Sequence, residues 1–285
     1  MKNSKITIFF HYKNLRMLFL GFSSGLPILL VFSTLSVWLV KAGINRSTVT
    51  LFSWAGFAYA FKYLWSPIVD NFRIPLFKTL GHRRSWLFFS QLMIMFSLIA
   101  TALTDPSKNL LPISITITFL AIFSATQDIV IDAYRIESAP QNLQGPLSSM
   151  YIAGYRLAML VGGAGSLWIA SYFGSETYDQ SVWKIVYLFM ALLMTAGIIT
   201  TIILDEPKIK KKKILKVSEH SKFLLVFIIA LIGFIFLYNS IESPFLENEI
   251  IKKFIFSLVR ISSCFAFSSL IIFLLINIGF VSKKK

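Results

Sequence analysis

Long apolar runs alternate with short polar connections along the whole chain, and this alternation sets the architecture. Eight apolar runs can be drawn, roughly 15–39, 49–69, 86–103, 111–133, 149–172, 185–204, 223–238 and 261–281. Most come near the ~20 residues that an α-helix needs to cross ~30 Å of hydrocarbon. A helix satisfies its own backbone hydrogen bonds in lipid, so the pattern predicts an all-α polytopic membrane protein. The seventh run is the shortest, and Arg260 interrupts the stretch that leads into the eighth. Gly21, Gly25 and Pro27 are expected to break the first helix, and Gly162, Gly163 and Gly165 fall in the middle of the fifth. Small residues there point to close helix packing or to backbone that faces a cavity. The first run is too long for a signal-peptide core and lacks a small-x-small cleavage site, so it is expected to be a retained helix.

Composition strengthens this picture. The 285 residues are 56% hydrophobic and 14% charged, with a mean hydropathy of +0.71; a soluble domain carries about 25% charged residues. The net charge of +15 does not indicate a nucleic-acid partner, because the basic residues cluster between apolar runs. If the N-terminus is cytoplasmic, 19 of the 28 Lys and Arg fall in cytoplasmic segments, 6 in outer ones and 3 within the runs. That bias places both termini in the cytoplasm. The longest cytoplasmic segment, 205–222, carries Lys210–Lys213 and reads as a solvated basic linker. It divides the chain into 1–204, with six runs, and 223–285, with about two. Cys264 stands alone, which excludes an internal disulfide and a cysteine metal site. His11, His82 and His220 have no ligand spacing around them, and no phosphate-binding glycine loop is present. No enzyme, cofactor or metal is therefore expected.

Four ionisable residues fall at membrane depth: Lys62, Asp128, Asp132 and Arg156. Asp128 and Asp132 lie one turn apart on one helix face, next to Gln127. A carboxylate mid-membrane costs about 2.5–3.5 kcal/mol to insert, so both should face a partner, a cavity or a substrate. Lys62 precedes Asp70 by eight residues, about 12 Å along a helix, which brings it to the level of the two acids. Arg156 lies at a similar depth. Two cations and two anions at one level can be a structural salt-bridge set, or a substrate or proton site in a central path. A second group, Asp70, Arg83, Arg84, Arg135 and Glu137, falls at the cytoplasmic ends of the second, third and fourth runs. Opposite charges at neighbouring helix ends can clamp one conformation and release another. Trp54, Tyr59, Tyr151 and Tyr155 could stack on a sugar face.

Several of these residues sit in recognisable segments. They are Leu20-Gly-Phe-Ser-Ser-Gly-Leu-Pro27, Trp65-Ser-Pro-Ile-Val-Asp70, Gly81-His-Arg-Arg-Ser-Trp86, Ala125-Thr-Gln-Asp-Ile-Val-Ile-Asp-Ala-Tyr-Arg-Ile-Glu137, and Gly154-Tyr-Arg156 with Gly162 to Gly165. Over about 15–207 the chain resembles the AmpG family of muropeptide permeases, within the major facilitator superfamily. The resemblance implies a six-helix transporter half plus about two further helices. It implies proton-coupled import of cell-wall-derived anhydro-muropeptides from periplasm to cytoplasm across the bacterial inner membrane. It also implies that Asp128 and Asp132 line the central path and that Asp70 and Arg135 belong to a cytoplasmic gate. Members of the family have twelve or more spans, so the chain reads as a C-terminally shortened copy. The alternative is a non-transporting remnant, or an accessory subunit that pairs with a full-length relative or with itself.

Overall fold

The computed structural model describes residues 12–175, 177–207, 217–241 and 250–278. His11 and the Lys210–Lys213 run lie outside the described residues. Among the described residues the structure is helical: α1 (Tyr12–Val31), α2 (Ser33–Lys41), α3 (Arg46–Leu51), α4 (Gly56–Ala60), α5 (Ser66–Asn71), α6 (His82–Ala102), α7 (Leu110–Ser138), α8 (Gln144–Leu160), α9 (Ser166–Phe173), α10 (Gln180–Ile203), α11 (Val217–Ser240) and α12 (Ile250–Asn277). Five stretches are long and apolar enough to cross a membrane as single elements: Asn14–Lys41, His82–Ala102, Leu110–Ser138, Gln144–Phe173 and Gln180–Ile203.

Three expectations change. The first helix is not broken at Gly21, Gly25 or Pro27, which all lie inside α1. Its interruption comes at Phe32, where φ is −107° and ψ is −81°. Proline removes one hydrogen bond, but packing of α1 along α8 on both sides of Pro27 keeps the helix running. The second run is not one helix. It is divided into α3, a 3-10 turn at Phe52–Ala55, α4, a 3-10 turn at Lys62–Leu64, and α5. The breaks fall at Phe61 and Trp65, just ahead of Pro67, in a stretch of aromatics that are poor helix formers. The eighth helix begins at Ile250 and passes through Arg260 without a break. Arg260 stacks on the Tyr238 ring at 3.9 Å and donates Nε–H to the Tyr238 carbonyl at 2.9 Å, so its charge is satisfied within the helix pair.

Residues up to Lys210 and residues from Lys211 form two separate compact units. In the first, α1 runs along α8 with backbone nearly touching backbone. A Cβ on Gly21 would lie 2.1 Å from the Tyr151 carbonyl oxygen, and one on Gly25 would lie 2.4 Å from that of Tyr155. From the other side, a Cβ on Gly154 would lie 1.9 Å from the Leu18 oxygen, and one on Gly162 would lie 2.7 Å from the Leu26 oxygen. Small residues four or eight apart put these gaps on one face of each helix, as in close-packed membrane helices. Past Leu160 the helix widens into a π turn, Val161–Gly165. Thr34 of α2 donates to the Gly162 carbonyl at 2.8 Å and so fixes the turn from outside. Between α1, α6, α7 and α10 lies a core that includes Leu30, Leu35, Trp38, Leu98, Leu120 and Met190. Trp38 stacks on Trp183, with ring centroids 5.7 Å apart. In the second unit α11 and α12 pack on each other, with buried Cys264 as a free thiol and a Ser268 hydroxyl donating to the Ala230 carbonyl at 3.0 Å.

Three helix starts are capped by the side chain that precedes them, that of α3 by Asn45. Asn109 accepts the Leu111 N–H at the start of α7, and Asp179 accepts the Ser181 N–H at the start of α10. In the α6–α7 connection Asp105 is partly desolvated. Hydrogen bonds from Ser107 and from the Tyr178 hydroxyl outweigh this and hold its carboxyl below the ordinary range.

Two outcomes are expected from this packing. Gly154→Ala should lower the thermal unfolding midpoint of the purified protein, by at least about 1–3 kcal/mol of overpacking, whereas Gly145→Ala meets open space and should not. Because the folded Asp105 carboxyl titrates low, its contribution is complete above its unfolded value of 3.8 and is lost as pH falls through the lower folded value. Asp105→Asn should flatten the acid limb of the unfolding midpoint against pH.

Candidate functional site

Asp128 of α7 is the anionic centre of the first unit, and only 8% of it is exposed. Its Oδ1 accepts a hydrogen bond from the Ser24 hydroxyl of α1. Its Oδ2 lies 3.5 Å from Lys62 Nζ. The Tyr151 hydroxyl of α8 lies 3.0 Å from Ser24 Oγ. Three helices and the broken 46–71 segment therefore converge on one carboxylate. Lys62 reaches it from the short 3-10 turn between the breaks at Phe61 and Trp65. The same segment is tied to α7 a second time, where Trp65 Nε1 donates to Thr126 Oγ1 at 3.1 Å. Pairing with Lys62 and a hydroxyl offsets part of the cost of holding a carboxylate out of water.

The other expected members of this group sit elsewhere. Gln127 is fully buried but turns to α1, where its Nε2 donates to Ser23 Oγ at 2.8 Å. Asp132 is about half exposed and pairs at 3.2 Å with Arg135, three residues along its own helix. One turn moves it about 6 Å along α7, away from Lys62. Arg156 is exposed, and its guanidinium lies 3.8 Å from Met159 Sδ. The face of α8 that meets α1 carries Gly154 and Ala158, and a residue two positions from Gly154 points about 200° round the helix. The structure thus joins Lys62 to Asp128 and leaves Asp132 and Arg156 outside that pair. Of the aromatics, Tyr151 and Tyr155 lie with ring centroids 6.0 Å apart, Tyr59 packs near Phe32, and Trp54 is exposed.

A second cluster forms at the far end of α7. Arg83, buried at the start of α6, donates Nη1–H to Asp70 at 2.7 Å. It also binds Glu137 through two parallel hydrogen bonds of 2.9 Å and 2.7 Å. This fork joins the ends of α5, α6 and α7 with the geometry that suits arginine and no other cation. Arg84 and Arg135 do not enter it. Arg84 donates to the Thr201 and Ile202 carbonyls at the end of α10, at 3.1 Å and 2.6 Å. Arg135 bonds Asp132 and the Ser148 hydroxyl.

Sequence reasoning missed the residues that close this end. Glu206 accepts the backbone N–H groups of Arg83 and Arg84 at 2.8 Å and 3.1 Å, and so caps α6 from the chain that follows α10. Gly81, at φ +93°, turns the chain into this cap, and a Cβ there would strike the Glu206 carboxylate. Asp205 binds Arg16 of α1 at 2.7 Å. The available signal was two acids directly after an apolar run, at an end where basic residues are expected. Ser23 and Ser24 were visible only as part of a motif.

Removing the arginine would strand two carboxylates. Arg83→Gln should lower the unfolding midpoint by the equivalent of about 3–5 kcal/mol. Arg135→Gln, at a half-exposed pair, should cost no more than about 1 kcal/mol.

The geometry can be set beside known proteins. The family description "Major Facilitator Superfamily" matches residues 7–285. The anhydromuropeptide permease of Escherichia coli K12 is 35% identical over 208 residues, which is 73% of this chain and 40% of that protein. The AmpG 4 protein of Rickettsia felis is 35% identical over 207 residues, 73% of this chain and 49% of that protein. The chain therefore spans about half the length of the curated relatives it matches. Five of its helices are long and apolar enough to cross a membrane, which fits that family match. This multi-pass chain belongs to the Major Facilitator Superfamily and within it is similar to AmpG-type permeases.

Proposed function

We propose that this chain takes part in proton-coupled import of cell-wall-derived anhydro-muropeptides across the bacterial inner membrane, from periplasm to cytoplasm. The observation that carries the reading is the Lys62–Asp128 pair, a buried carboxylate matched to a cation on a broken helical segment. In a lipid-spanning bundle a buried ionisable pair carries a desolvation cost, and such residues mark functional sites by default. The neutral form of Asp128 releases Lys62 and leaves the Trp65–Thr126 hydrogen bond as the remaining tie to α7, which gives the bundle two arrangements that a proton can choose between. The likeness to the E. coli permease supports the substrate class. In this reading both termini are cytoplasmic, residues 1–204 act as a transporter half, 205–222 is the linker, and 223–285 begins the second half. Asp128 and Lys62 lie on the path with Asp132 and Arg156 at its edge, and Gln127 braces α7 against α1 beside it. The Arg83 fork with Asp70 and Glu137, flanked by Arg84 and Arg135, is the cytoplasmic gate.

A second reading is favoured by the exposure of Arg156 within the fifth apolar run. A guanidinium at that depth calls for a covering polar surface, such as a second copy or a full-length relative, with this chain as the accessory subunit. Uptake of labelled anhydro-muropeptide decides between them, measured in cells that lack their own permease and express only this chain. The transporter reading expects uptake that falls to background with Asp128→Asn and with a protonophore, at unchanged membrane abundance. No uptake at normal abundance would sink it and favour the subunit.

A further inference from the structure

The hydroxyls beside Asp128 form a chain with a definite direction. Ser24 has one hydroxyl hydrogen and donates it to Asp128 Oδ1. An ionised carboxylate can only accept. The 3.0 Å contact between Ser24 Oγ and the Tyr151 hydroxyl is therefore made with tyrosine as the donor. The order runs from Tyr151 on α8, through Ser24 on α1, to Asp128 on α7. With Asp128 protonated on Oδ1, each hydrogen reverses: Asp128 donates to Ser24, and Ser24 donates to Tyr151. No heavy atom has to move. Tyr151 is the partly exposed end of the chain, and Asp128 is the buried end.

Packing does not require these hydroxyls. The glycine contacts already hold α1 on α8, and among the described residues the Ser24 hydroxyl bonds side chains, whereas Ser23 donates to Leu20 O at 2.9 Å. The other groups that face this carboxylate are Lys62 and Tyr59 from the 46–71 segment, Tyr155 from α8, and Asp132 one turn along α7. Of these, Lys62 bonds the opposite oxygen, so the two oxygens of Asp128 have separate tasks.

We propose that Tyr151 and Ser24 are the proton relay to Asp128. The inference rests on the proton-coupled reading above and adds the route. A hydronium ion gives its proton to the Tyr151 oxygen, the phenolic hydrogen passes to Ser24 Oγ, and the serine hydrogen passes to Asp128 Oδ1. Hydronium becomes water, the carboxylate becomes a carboxylic acid, and both hydroxyls are regenerated in reversed orientation. Lys62 loses its counter-ion in the same step.

The test follows protonation itself, not transport. The reconstituted full chain is given a rapid drop in pH while the infrared carboxylic C=O band is recorded, with the Asp128 band identified by its loss in Asp128→Asn. Ser24→Ala and Tyr151→Phe should each slow the appearance of that band by about tenfold or more, and Ser24→Thr should restore most of the rate. Tyr151→Phe deletes one oxygen atom and leaves the ring, so it keeps the test valid if Ser24→Ala misfolds. Wild-type rates in Ser24→Ala or Tyr151→Phe, a Ser24→Thr variant as slow as Ser24→Ala, or no Asp128 band at any pH would overturn the relay. A relay that behaves as expected in a chain showing no muropeptide uptake would leave this inference standing and remove the transport reading instead.

Discussion

The close approach of α1 and α8 is the constraint on which the rest of the first unit depends. At Gly21, Gly25, Gly154 and Gly162 a side-chain carbon would overlap a carbonyl of the facing helix. Water offers no driving force for helix association inside a bilayer, so packing of this kind has to supply it. The contact fixes where Ser24 and Tyr151 stand relative to each other, and so where a carboxylate from α7 can find two hydroxyls. It also turns Arg156 away, because the face of α8 given to α1 cannot carry a long side chain.

Charge then organises the two ends of α7 differently. Near its middle, Asp128 is held by one long ion pair and by hydroxyls, with partners on three other elements. At its end, Glu137 meets Arg83 in a fork, and Glu206 and Arg84 bind each other's helix termini in exchange. The first arrangement rests on a single 3.5 Å ion pair and on hydroxyl contacts. The second is a network of short, charge-assisted bonds, which resists opening. The buried carboxylate thus lies along the same helix as a clamp that joins three helix ends.

The segment 46–71 illustrates what hydropathy misses. Its residues are apolar enough to read as one membrane helix, yet Pro67 and a dense run of aromatics divide it. The division puts Lys62 on a short turn, where the backbone can be displaced without unwinding a long helix. Glu206 was missed for a related reason: it lies beyond the end of an apolar run, so its role appears only once the start of α6 is seen beside it.

Composition and spacing by themselves determined that the chain spans a membrane and which residues carry charge into the apolar runs. For an unbroken helix the fixed rise per residue also turns sequence position into height, but the 46–71 segment is broken at Phe61 and Trp65, so the meeting of Lys62 with Asp128 was decided by the tertiary structure. The tertiary structure decided who pairs with whom. Asp128 takes Lys62 and Ser24, Asp132 takes Arg135, and Arg83 rather than Arg84 or Arg135 holds the fork. Height does not fix the direction in which a residue faces its neighbours. That direction is set by how the helices are rotated against one another, and the glycine contact between α1 and α8 sets it for Ser24 and Tyr151.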